Sequence, residues 1–101
     1  MQTDNYIETI LISSLCTHYQ TDTSFFEQLA QYGLIRITSQ NDQPAIHRDH
    51  IAELERWIHL HYDLHINMEG LDAISHLLQK TSALKAELAD IKARLRRYEG
   101  V

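Results

Sequence analysis

Seven histidines are the side chains of this sequence whose type best suits chemistry. One pair, His61 and His65, has the i, i+4 spacing by which a helix presents two ligands to zinc. A zinc site needs a third protein ligand, and the sequence supplies none. His59 falls on another face of the same helix, Cys16 is remote, and neither HExxH nor CxxC occurs. No metal and no cofactor is therefore expected. Cys16 as a nucleophile would need an adjacent base or cation, and no matched constellation is present, so it reads as a small buried thiol. The carboxylates Glu53 and Glu55 lie two residues apart on a helix and diverge, which leaves them without the geometry of an acid/base pair. His47 and His50 straddle a helix start and read as surface or capping residues. These residues predict a protein that binds rather than one that catalyses.

Charge narrows what it binds. The net charge is -5 and unevenly placed: residues 1–79 hold 3 basic and 11 acidic side chains, residues 80–101 hold 6 and 3. The first 47 residues contain one cation, Arg36, against Asp4, Glu8, Asp22, Glu27 and Asp42. Duplex binding draws its affinity from several Lys or Arg contacts to phosphate, so this stretch argues against nucleic acid and for a basic protein surface. Phe25, Phe26, Tyr32 and Trp57 could stack on bases only inside a basic groove, and core packing is the better account of them. Lys92, Arg94, Arg96 and Arg97 suit the last turns of a helix, where cations complement the dipole.

These residues require elements to hold them. At 101 residues the chain suits one compact domain with a modest core. It has neither the signature of a leader peptide nor an apolar run of membrane-spanning length, and its single cysteine fits a reducing compartment, so a cytoplasmic protein without membrane contact is expected. Tyr6 to Ile12 reads as a short strand, followed by a helix over Ser14 to Tyr19 capped by Ser13. Asp22 is placed to cap a second helix, Thr23 to Tyr32, with Gly33 as its left-handed terminus. Leu34 to Ile37 and Pro44 to Ile46 flank the turn formers SQNDQ and predict a hairpin. Asp49 is placed to cap a third helix, from His50 to about His65, with Ile51, Leu54, Ile58 and Tyr62 on its apolar stripe. The order is helix, turn, helix, wing, helix.

Asn67 is placed as N-cap of one long last helix. Along it Ile74, Leu77, Thr81, Leu84, Leu88, Ile91, Leu95 and Tyr98 alternate steps of three and four, the a/d seam of a coiled coil. About 30 helical residues extend about 45 Å, farther than a small body can cover, so the seam predicts a homodimer through Ile74, Leu77, Leu84, Leu88, Ile91 and Leu95. Parallel pairing would attract through Glu87 with Lys92 and Arg94 with Glu99, and repel through Lys80 with Lys85, which leaves the orientation open. The predicted fold is mostly α: a winged helix-turn-helix body with a third helix over residues 1–66, continuous with a long dimerising helix over 67–101, as a single domain.

That order resembles the MerR superfamily of regulators. The pieces LCTHY (Leu15 to Tyr19), QLAQYGLI (Gln28 to Ile35), LHYDLHINMEGLDAISHLLQK (Leu60 to Lys80) and ALKAELADIKARLRRY (Ala83 to Tyr98) resemble the CbpM-like chaperone-modulator family. The resemblance runs over nearly the whole chain and contains no catalytic signature. It implies binding to the J domain of a CbpA-type co-chaperone and inhibition of that co-chaperone's stimulation of a DnaK-type chaperone. J domains present a basic helix to their chaperone, as the resemblance further implies, and a competitor for it should be acidic. Asp49, Glu53, Glu55 and Asp63 are the candidate contacts, with Glu69 and Asp72 opening the last helix, where acids also complement the dipole. Two rivals arise from the same elements: a MerR-like DNA-binding transcriptional regulator, and a structural adaptor whose coil joins another protein.

Overall fold

A computed structural model describes residues 8–100. The elements run β1 (Thr9–Leu11), α1 (Ile12–Tyr19), α2 (Thr23–Gln31), β2 (Thr38–Gln40), β3 (Gln43–His47), α3 (Ile51–Ile58) and α4 (Met68–Glu99). The expected strand from Tyr6 narrows to β1, with Tyr6 and Ile7 outside the described residues. The chain divides into two compact units, Met1–Leu71 and Asp72–Val101, and the boundary falls inside α4.

The core of the first unit forms where the helix-turn-helix meets α3 and the sheet. Phe26, Leu29, Ile46, Leu54, Trp57 and Leu71 are its largest fully buried side chains. Trp57 donates its indole N–H to the Leu34 carbonyl at 3.2 Å, which satisfies the one polar group of that ring. Leu34 and Ile35 are buried as well, but in the connection after α2 and not in a strand. The first wing strand is displaced to Thr38–Gln40 because the reversal is made by two residues, Asn41 and Asp42, at φ 53° and 67°. Both central residues of a type I′ turn need positive φ, and Asn and Asp tolerate it best after glycine.

The sheet has the order β1-β3-β2, antiparallel throughout, with Thr9 opposite His47 and Gln40 opposite Gln43. Pro44 sits in its central strand without cost. The two-residue turn makes Gln40 and Gln43 a hydrogen-bonded pair, so the next pair, Ser39 and Pro44, is one in which no N–H faces β2. On the other side β1 reaches only to Ala45.

Helix ends depart from the sequence reading at three places. Ser13 is not a cap: α1 starts directly off β1, with Leu11 at the N-cap position and Ser13 inside the helix. Asp22 holds the N-cap position of α2, yet its side chain makes no capping bond, and the Phe25 N–H goes to the Asp22 carbonyl at 3.1 Å. Asp49 does not cap the third helix, because the chain enters it through a 3₁₀ turn, Arg48–His50, where the His47 ring accepts the Asp49 N–H at 3.1 Å. Two ends are as expected. Gly33 at φ 74° closes α2 with the bonds Gly33 N–H to Ala30 and Leu34 N–H to Leu29, a Schellman motif. Asn67 caps α4 by accepting the Gly70 N–H at 2.8 Å.

Candidate functional site

The third helix carries the candidate contacts, and its continuation decides where they point. After Ile58 the backbone widens into a π-helical turn, His59–Asp63, in which the Leu64 N–H reaches back five residues to the His59 carbonyl. The α-helix therefore ends at Ile58, and the expected single helix to His65 is corrected. Such turns insert one residue into a helical turn and recur at functional sites. His65 then leaves helical space altogether at φ 60°.

The four acids separate into two pairs. Asp49 and Glu53 lie one turn apart at the start of the helix, and Glu53 has no partner among the described residues. The Asp49 carboxylate is 3.5 Å from His47 Nδ1. That nitrogen already accepts the Asp49 amide proton, so in this state it has none to give the carboxylate. Glu55 and Asp63 occupy another face. Glu55 accepts a 2.5 Å hydrogen bond from the Tyr19 hydroxyl and ties α1 to α3, while Asp63 pairs with His59 Nδ1 at 2.7 Å. The Tyr19 hydroxyl is pushed up to about 12, first by burial and then by the bond to Glu55 and its charge. Glu55 thus has a structural duty that sequence spacing could not reveal.

On α2 the exposed side chains are Thr23, Ser24, Glu27, Gln28 and Gln31, and none is a cation. Phe25 and Phe26 are buried, as is Trp57, so the stacking role weighed for them is excluded by position. Tyr32 is partly exposed and donates to Glu69 at 3.2 Å, across from the first turn of α4.

A second feature was not predicted. His61 stacks on Phe25 with ring centroids 4.9 Å apart, and Tyr62 tilts against the same ring at 5.2 Å. His61 Nδ1 donates to the Ile66 carbonyl at 2.7 Å, which folds the loop after the π turn back on itself. His61, Tyr62, His65, Ile66 and Asn67 line a cleft of about 380 Å³. The i, i+4 pair His61 and His65 therefore shares a cleft wall and not a helix face. Among the described residues no group of three His, Cys, Asp or Glu could hold a metal ion. Burial, and secondarily Asp22 and Cys16, hold the Tyr62 hydroxyl above the ordinary phenol range. The apolar spacing of Phe25 and Tyr62 was visible in the sequence, but nothing in it signals a π turn.

The seam residues lie in the second unit. Leu77, Leu84, Leu88, Ile91 and Leu95 are exposed along α4 and Ile74 is half-buried. An Asp90–Arg94 pair at 2.6 Å lies on the same helix at i, i+4. No helix among the described residues is long and apolar enough to cross a membrane.

A family model described as MerR HTH family regulatory protein matches residues 10–93. The chain belongs to this family. The match takes in the helix-turn-helix, the wing, α3 and most of α4, so the MerR-family architecture covers both units and not the body alone. No curated protein and no solved structure matches the chain.

Proposed function

We propose that this MerR-family chain is a chaperone modulator of the CbpM-like kind. It is a non-enzymatic cytoplasmic homodimer that binds the J domain of a CbpA-type co-chaperone and blocks its encounter with a DnaK-type chaperone. One observation carries the reading. The exposed face of α2, the helix that a DNA-binding member would lay in the major groove, offers a carboxylate, hydroxyls and amides but no Lys or Arg. A surface of that charge repels phosphate and suits a basic protein helix, and α3 separately exposes Glu53. The resemblance of residues 60–80 and 83–98 to the CbpM-like family supplies the identity of the partner.

Titrating the purified protein with a CbpA-type J domain tests this directly, and absence of binding at micromolar concentration sinks it. Glu53→Lys is the informative variant, because Glu55 holds Tyr19 and its replacement would disturb the fold as well as the surface. Glu53→Lys should weaken the complex and leave the dimer intact. The family match is equally compatible with one other reading, a MerR-like DNA-binding transcriptional regulator. A steeply salt-dependent shift with duplex DNA would establish that reading instead.

A further inference from the structure

We infer that the cleft below the π turn receives one apolar side chain from a basic helix of the protein partner. The inference rests on the reading of this chain as a binder of a basic protein surface, and adds the anchor that charge alone lacks. The cleft, about 380 Å³, is open to solvent on one side and has room for a leucine or phenylalanine side chain.

Its walls are fixed before any partner arrives. His61 is held from one side by the buried Phe25 ring and from the other by the Ile66 carbonyl. The Ile66 N–H bonds the Leu60 carbonyl at 3.1 Å, and Asn67 is committed to capping α4. A receptor built this way has little conformational freedom to lose on binding. Its surroundings expose large apolar groups: Tyr62 is 41% and Leu64 55% accessible, and tyrosine is among the residues that most often dominate an interface.

Charge selects the occupant. None of the five lining residues is Lys or Arg, Asp63 adjoins Tyr62 in the chain, and the nearest cation in sequence is Arg56. Asp22 is close enough to raise the Tyr62 hydroxyl. A helix with one large apolar side chain, flanked by cations three and four residues away, would satisfy both the cleft and its acidic surroundings.

The test uses the full-length protein, isotope-labelled for NMR, with two probes. One is a CbpA-type J domain. The other is a capped Lys/Ala-rich helical peptide bearing one central leucine, compared with the same peptide bearing alanine there. The amides of Tyr62, His65 and Ile66 should shift with the J domain and with the leucine peptide, and not with the alanine peptide. Tyr62→Ala should weaken J-domain binding about thirty-fold, and Tyr62→Phe should retain it. Leu64→Ser, at a site exposed enough to spare the fold, should weaken it at least about fivefold. A J domain that binds wild type but shifts other amides, or binds the Leu64 variant unchanged, overturns the assignment. If the J domain fails to bind while the leucine peptide still moves the cleft amides, the cleft stands and the J-domain identity falls. If neither probe binds, both fall.

Discussion

In the proposed homodimer, replacing Leu84, Leu88 and Ile91 together by glutamate should yield a monomer, and the size of the effect can be worked from their exposure. The three side chains are 58%, 52% and 57% accessible along α4. Removing a leucine or isoleucine wholly from water gains about 2 kcal/mol, so roughly 1 kcal/mol per residue is left for a second helix to supply. Three positions on each of two helices amount to about 6 kcal/mol, or roughly 10⁴-fold in Kd, before any repulsion among the new carboxylates. Glutamate is a good helix former, and the residues lie in the second unit, so the body should keep its melting transition. Sedimentation equilibrium at micromolar concentration reads the outcome. A variant that keeps the wild-type dimer mass would remove this seam from the interface and with it the argument from its exposed leucines.

Further outcomes concern the body. Gly33→Ala meets nothing within 4 Å, so its cost is purely that of holding a side chain at φ +74°. About 1 kcal/mol is expected, seen as a fall of roughly 4–8 °C in melting temperature. Gly70→Ala should also destabilise, although alanine favours helix by about 1 kcal/mol, because the new Cβ would stand 2.6 Å from Ile66 Cγ2 and 3.2 Å from the Asn67 cap oxygen. An unchanged or higher melting temperature would show that the loop yields freely. Tyr19 is raised from 10.0 to about 12 in the folded protein. Its stabilising share is therefore complete below the unfolded value and lost as pH rises through the folded one. Tyr19→Phe should make the alkaline loss of stability shallower, though not abolish it, since Tyr62 is shifted the same way. Equal steepness in denaturant midpoints across that range would refute the assignment.

The elements that the sequence revealed are those governed by local chemistry. Gly33 and Asn67 terminate helices where only a left-handed or a capping residue serves, and the heptad steps of α4 arise from periodicity alone. Elements settled by competition were misplaced. Leu34 and Ile35 are apolar enough for a strand, but burial beside Trp57 claims them and the two-residue turn moves the strand to Thr38. Asp49 has the right side chain for a cap, yet His47 caps the 3₁₀ turn that precedes α3 and Asp49 lies inside that turn. At the candidate site, the identities of the acids were legible and their duties were not. Glu55 and Glu53 differ only in the groups opposite them, and Tyr19 comes from a helix 36 residues away in sequence. The cleft could not be foreseen because it depends on the π turn, whose extra residue leaves no mark in hydrophobic spacing.

That turn stands between two parts of the body's core. The core contacts of α3, Leu54 and Trp57, lie before it, and the cleft residues lie within or after it. Deleting one residue from His59–Asp63 would restore an α-helical ladder and reshape the cleft, and it would also pull on Met68 and Leu71, core residues that lie beyond the turn. The proposed cleft and part of the core thus hang on the same turn, so a single-codon deletion there should be read in the melting temperature as well as in binding.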